Sequence, residues 1–142
     1  MKIISYNVNG IRSALGKGLA EWLKATDADI VCFQELKAEP SQFDTGIFEQ
    51  LGYKHYWHPA EKKGYSGVAI FSKKKPEKII KGTGHKQSDL EGRVIQADFG
   101  ELSVINAYFP SGTSGGIRQH YKYVWLDEFL EHIQKLKKKR KW

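Results

Sequence analysis

Glu35 ends an apolar run in the stretch ADIVCFQELK (residues 28–37), with Gln34 before it and Lys37 two positions on. A carboxylate beside an amine can bind a hard cation and an anionic oxygen, although the same residues on a strand end also serve as a solvated edge. Three further polar clusters stand in comparable places: Asn7 with Asn9 in SYNVNG, Tyr65 with Ser66 in GYSG, and Tyr108 through Ser111 in AYFPS. Each adjoins a segment that reads as a strand, where a rigid scaffold can aim side chains into a common cleft. Taken singly each has a plainer reading: Asn-Val-Asn-Gly is a turn, and a tyrosine on a strand is core.

The elements that must hold these side chains follow from periodicity. KIISY (residues 2–6) is short and β-branched, and the turn residues after it end a strand. Leu15, Leu19, Trp22 and Leu23 fall at helical spacing, which predicts one short amphipathic helix before a strand over residues 30–34. Phe43, Ile47, Phe48 and Leu51 predict a second helix over residues 43–51, capped by Gly52. Strands follow in YKHYWHP, in GVAIFSK (residues 67–73) and around Ile79, and two more over 93–99 and 102–109 flank Gly100-Glu101, a pair suited to a type II′ hairpin. A loop over residues 110–116 then leads into a helix from Ile117 to about Lys137, with Tyr121, Trp125, Phe129, Ile133 and Leu136 in a stripe. The order argues for a layered α/β (α+β) domain with a mixed sheet, not a Rossmann fold.

Composition narrows the partners and compartment. With 142 residues and 40% apolar content the chain fits one folded domain. No apolar run approaches the roughly 18 residues that span a bilayer, and MKIISYNVNG lacks a signal-peptide core, so no membrane role and a cytoplasmic location are expected. Cys32 is the single cysteine, which points to a buried, inert thiol; the five histidines show no zinc-like pairing. Of the net charge of +7, residues 137–141 (KKKRK) supply five, so the body carries only +2. A basic tail over 137–142 following a domain over 1–136 is the expected organisation.

In order along the chain, SYNVNGIRS, ADIVCFQELK, GYSGVAIFS, EGRV and NAYFPSG resemble the exonuclease III-like apurinic/apyrimidinic endonucleases of the endonuclease/exonuclease/phosphatase superfamily, from Lys2 to about Phe129. That resemblance implies a four-layer α/β-sandwich, with about half of it present. It implies a Mg²⁺ site, Mn²⁺ being an alternative, at Glu35 and Asn7, with Lys37 near the carboxylate and a phosphate. Tyr108 matches the family's active-site tyrosine; as a phenol near a metal it either donates to a phosphate oxygen or acts as an oxyanion. Arg12, Tyr65 and Arg93 match DNA contacts, with an ion pair to Glu91 the competing reading for Arg93. Ser111 stands where relatives carry Asn or Gln at a phosphate contact.

The implied reaction is metal-assisted phosphodiester hydrolysis on double-stranded DNA, 5′ to abasic sites or at 3′ ends, with 3′-5′ exonuclease and 3′ phosphatase activity as family traits. Relatives place a water-orienting Asp in Gly-Asp-x-Asn and an Asp-His pair in Ser-Asp-His, and neither motif occurs in these residues. The expectation is therefore the N-terminal half of a monomeric nuclease, inactive alone, with an uncovered apolar sheet face. Two alternatives stand beside it: a non-catalytic DNA-binding fragment gripping phosphates through its basic tail, and a phosphatase or phosphodiesterase of the same superfamily. The GYSG and YFP segments favour DNA repair.

Overall fold

In a computed structural model, which describes residues 1–113 and 115–140, the chain builds two sheets packed face to face with helices outside each. In chain order the elements are β1 (Ile3–Asn7), α1 (Ile11–Gly16), α2 (Leu19–Thr26), β2 (Ile30–Gln34), α3 (Gly46–Gln50), β3 (Lys54–His58), β4 (Val68–Ser72), β5 (Lys78–Lys81), α4 (Lys86–Leu90), β6 (Val94–Phe99), β7 (Leu102–Ala107) and α5 (Gly116–Lys139). A 3₁₀ turn over Pro40–Gln42 precedes α3.

The first sheet has the order β1-β2-β4-β3, with β1 parallel to β2 and the other pairs antiparallel; the second is the antiparallel meander β5-β6-β7. Strands β2 (IVCFQ) and β4 (VAIFS) are buried at every position, because both faces are covered. Val31, Phe33, Ala69 and Phe71 face α1, α2 and α3 in one core. Ile30, Cys32, Val68 and Ile70 alternate with them and meet Ile95, Ala97, Phe99 and Val104 of the second sheet in the other. Phe71 anchors the helix-side core, 4.6 Å from Phe48 and 4.9 Å from Phe33 between ring centres. Burying each such ring is worth roughly 1.5–3 kcal/mol. Cys32 lies between the sheets, where burial pushes its thiol up to about 11.

Helix α5 lies along the outer side of the second sheet. Trp125 stacks on Phe129 at 4.9 Å and donates to Ser88 Oγ (2.9 Å), and Arg140 donates to Ser103 Oγ (2.7 Å) and Gly100 O (2.6 Å). The four layers are thus helices, sheet, sheet, helix. Strand β1 at one edge is largely exposed, as is Leu102 of β7, and a cavity of about 390 Å³ between them is lined by Ile3, Ser5, Ile105, Ala107 and Phe129 among others. No helix among the described residues is long and apolar enough to cross a membrane.

Four expectations change. The single helix through Leu15 and Leu23 is two helices, because Gly18 takes φ 100, which a right-handed helix cannot continue. Phe43 is extended (φ −158, ψ 168), so α3 starts only at Gly46, although Gly52 closes it at φ 91 with its N–H on Glu49 O (2.9 Å). Helix α4 (KQSDL) has too little apolar periodicity to be seen in sequence. The basic run is not a separate tail: α5 continues through Lys137, Lys138 and Lys139, cations that suit a helix C-terminus, and Arg140 ties back to the sheet, while Lys141 and Trp142 lie outside the described residues.

Candidate active site

The main chain brings the polar clusters together. Asn7 pairs with Gln34 at the ends of β1 and β2, and the ladder continues into the loops: Val8 N–H donates to Gln34 O (3.1 Å), Gly10 N–H to Glu35 O (2.8 Å) and Ile11 N–H to Leu36 O (2.8 Å). On the other side Leu36 N–H donates to Gly67 O (3.2 Å) and Lys37 N–H to Ser66 O (2.9 Å). The loops after β1, after β2 and before β4 therefore form one hydrogen-bonded layer. Within it Asn9 (φ 46), Glu35 (φ 57), Lys37 (φ 53) and Ser66 (φ 49) all occupy the left-handed region. For a residue other than glycine or asparagine that conformation costs about 1–2 kcal/mol, and strain of this kind gathers at functional sites.

From the second sheet, Tyr108 follows the end of β7, its N–H on Arg93 O (2.8 Å). Its hydroxyl crosses to the first sheet and donates to Glu35 Oε1 at 2.6 Å. Burial, and then the Glu35 hydrogen bond, push the Tyr108 phenol up to about 12. At neutral pH it is therefore a neutral donor, which favours the donor over the oxyanion form.

Arg93 is 2% exposed and binds beneath this pair. Its Nε donates to Glu91 Oε1 (2.8 Å), Nη1 to Tyr108 O (3.0 Å) and Nη2 to the Tyr65 hydroxyl (3.0 Å). Arg118, in the first turn of α5, donates to the same Tyr65 hydroxyl at 3.0 Å. Burial alone would raise the Glu91 carboxyl, but hydrogen bonds from Arg93, Arg118 and Gln87 outweigh it and hold the group below its ordinary value. The ion-pair reading of Arg93 is the one the geometry realises; so buried a side chain positions Tyr65 and Tyr108 instead of meeting solvent or DNA itself.

Other site residues fall into place differently. Asn7 Oδ1 accepts from Asn9 N–H (2.9 Å), and Lys37 Nζ donates to Asn9 Oδ1 (2.8 Å), not to Glu35. Gln34 turns inward, between the sheets, so Tyr108 is what holds the carboxylate. Arg12 is exposed on α1, and Ser111 is exposed with its Oγ 2.7 Å from Thr113 Oγ1. A cavity of about 340 Å³ beside Asn7 is lined by Tyr6, Asn9, Ser13, Lys17 and Trp22. Sequence reasoning missed Arg118, which carries no local signal, and the part played by Asn106, whose signal is an amide on the apolar face of Leu102, Val104 and Tyr108.

Among the described residues, no group of three or more His, Cys, Asp or Glu side chains could hold a metal ion. The oxygens at hand are the Glu35 carboxylate, whose Oε1 takes Tyr108, and the Asn7 amide. Both are hard donors, and Mg²⁺ is commonly held by one or two carboxylates with waters and substrate phosphate oxygens, so the set fits as part of such a site.

Comparison with known proteins bears on the family and the fold. The model of the Endonuclease/Exonuclease/phosphatase family matches residues 4–142. The exodeoxyribonuclease of Bacillus subtilis (strain 168) is 41% identical over 141 residues, covering 99% of this chain and 55% of the relative. DNA repair nuclease APEX1 of Danio rerio is 37% identical, covering 94% of this chain and 44% of the relative. Among solved structures, an AP endonuclease from Archaeoglobus fulgidus superposes with a TM-score of 0.85 at 37% identity, covering 95% of this chain and 51% of that one. A 3′ phosphatase NExo (D146N) from Neisseria bound to a product DNA hairpin gives 0.85 at 29% identity, covering 99% and 54%. The chain spans about half the length of the relatives it matches. It belongs to the endonuclease/exonuclease/phosphatase family.

Proposed function

We propose that this chain forms one half of the active cleft of a divalent-metal-dependent DNA repair nuclease of the exodeoxyribonuclease III and AP endonuclease type. Its substrate is double-stranded DNA, cut 5′ to an abasic site, with 3′ ends as further substrates. The observation that carries the reading is the 2.6 Å bond from Tyr108 to Glu35, which joins the ends of two strands from different sheets at one open cleft. An apolar sandwich has no packing need for a carboxylate and a phenol there.

Each residue has work in phosphodiester hydrolysis. Glu35 and Asn7 would hold Mg²⁺, or Mn²⁺, which when bound neutralises charge growing on the phosphoryl oxygens. Tyr108 has one proton, held by Glu35 in the free chain, and would turn it to a phosphate oxygen once Glu35 binds the metal, while Lys37 would place a cation beside the same group. Tyr65, fixed by Arg93 and Arg118, presents its ring and hydroxyl to the DNA backbone, with Arg12 and Ser111 as outlying contacts. The water-orienting Asp and the Asp-His pair that the resemblance implies would come from the further length that the relatives carry, which would cover the free edges of β1 and β7.

The test is cleavage of an abasic duplex with Mg²⁺. Residues 1–142 alone should show no turnover, while a chimera carrying the second half of the Bacillus subtilis relative should cut. In the chimera Glu35→Ala should lose activity chiefly through the metal. Near-normal cleavage by that variant at limiting Mg²⁺ would remove Glu35 from the site, and robust cleavage by the 142 residues alone would overturn the half-site reading.

A further inference from the structure

Among the described residues the centre of the interface between the sheets is mostly apolar, with aliphatic side chains of both sheets in contact. Below the cleft, Gln34 of β2 and Asn106 of β7 are both buried, at 9% and 2% exposure, and meet side chain to side chain. Gln34 Nε2 donates to Asn106 Oδ1 at 2.8 Å and lies within reach of Ser5 Oγ (3.0 Å) and Cys32 O (3.1 Å). Asn106 Nδ2 donates to Phe33 O (2.8 Å) and Ala69 O (2.9 Å), residues that face each other across the β2–β4 pair. One side chain of the second sheet thus binds three groups of the first and uses every donor it has and its oxygen.

We propose that Asn106 is a positioning residue that sets the register of the two sheets and, through it, the reach between Tyr108 and Glu35. Packed methyl groups fit together in more than one register, since dispersion and burial are not directional. A hydrogen bond is directional, and a slide of about 1 Å would break all three that Asn106 makes to the first sheet. Glu35 is the residue after Gln34, and Tyr108 is two residues after Asn106 on the same strand face, about 7 Å farther along. The amide staple therefore sits one step beneath the pair that it aligns. Without it, the register is left to ties at the rim, the bond between Tyr108 and Glu35 and those of Arg93 and Arg118 to Tyr65, none of which lies between the strands themselves.

The functional consequence rests on the nuclease reading above, but the measurement does not. The 142-residue chain is labelled with ¹³Cζ-tyrosine, and the Tyr108 resonance, identified by its loss in Tyr108→Phe, reports the hydrogen bond at neutral pH. Asn106→Leu, of similar size, should move that resonance to where Glu35→Gln puts it. Asn106→Thr, which keeps one hydroxyl donor, should move it part of the way and decides the matter if the leucine variant does not fold. Val104→Ala, buried in the same interface, should lower the melting temperature and leave the resonance in place. An unmoved resonance in folded Asn106 variants, or an equal movement in Val104→Ala, overturns the proposal. In the chimera, Asn106→Thr should lower kcat by up to about 100-fold with KM held, the loss that misplacement of this order produces. An inactive chimera would count against the nuclease reading and leave the resonance result standing.

Discussion

Replacing Glu91 separates a positioning network from incidental surface charge. The side chains of Glu91 and Arg93 are 9% and 2% exposed, and their bond is 2.8 Å long. In Glu91→Ala the Arg93 guanidinium stays buried without its counter-charge, a situation that costs about 3–5 kcal/mol. For a urea slope of about 2 kcal/mol per molar, the unfolding midpoint should fall by roughly 1.5–2.5 M. Glu91→Gln keeps an acceptor but not the charge, and should cost about 1.5–3 kcal/mol, the worth of a hydrogen bond to a charged group. Arg118, with 29% of its side chain exposed, can turn toward water and adds little to either figure.

The same network fixes the pH dependence. The folded Glu91 carboxyl lies below the value of 4.5 that serves as its unfolded reference. Its stabilisation is therefore complete above that pH and is lost as pH falls through the lower, folded value. The stability gap between the parent chain and Glu91→Gln should be level from pH 8 to about 5 and close below it. Asp98 is also held low, through Gln96, Ser103 and Arg140 acting against burial, but it is common to both chains and cancels. The double variant Glu91→Leu with Arg93→Met should recover most of the loss, because removing both buried charges removes the mismatch. A Glu91→Gln midpoint within about 0.3 M of the parent, equivalent to about 0.6 kcal/mol, or a gap that stays level down to about pH 2, would refute the reasoning.

Tyr108→Phe should cost about 1–2 kcal/mol in urea unfolding, the charge-assisted bond to Glu35 being only partly shielded from water; an unchanged midpoint would mean that the bond adds nothing to folding. Lys37→Gly should raise stability by about 0.5 kcal/mol, since relief of the left-handed strain, about 1–2 kcal/mol, exceeds the entropy glycine adds to the unfolded chain. The same change should weaken DNA binding by the chimera in a filter or anisotropy assay. Gly92→Ala should destabilise by about 2–4 kcal/mol, because Gly92 has φ +57 and an added Cβ would lie 2.5 Å from His58 O and 2.6 Å from Pro59 C, both main-chain atoms.

The strands were legible where one physical cause dominated. Residues 30–33 and 68–71 are apolar throughout because each face meets a layer, and the hairpin at Gly100 shows in sequence because glycine takes its φ of 61 without strain. Helix limits were less legible, since Leu15 and Leu23 share a spacing that spans the break at Gly18. At the site, residue identities could be read from the motifs, but partners could not. Gln34 and Lys37 sit beside Glu35 in sequence, yet strand alternation turns Gln34 inward and Lys37 finds Asn9, while the partner of Glu35 comes from 73 positions away. Arg93 reads equally as a DNA contact or an ion pair until burial decides it.

The strained loops explain why the site needs so large a scaffold. Glu35, Lys37 and Ser66 together carry about 3–6 kcal/mol of left-handed backbone strain, comparable to the whole net stability of many domains. No local preference would hold them there, because the unfolded chain is free of the strain. What holds them is the ladder that runs from β1 through Gly10 and Ile11 to residues 35 and 36, and from there to Ser66 and Gly67, anchored by strands with no exposed face. The geometry that turns a carboxylate out of a buried strand and toward a phenol of the other sheet thus depends on cores on both sides of β2. Substitutions in those cores, far from Glu35, should therefore loosen the site before they unfold the chain, since the loops are the part of the structure with the least stability to lose.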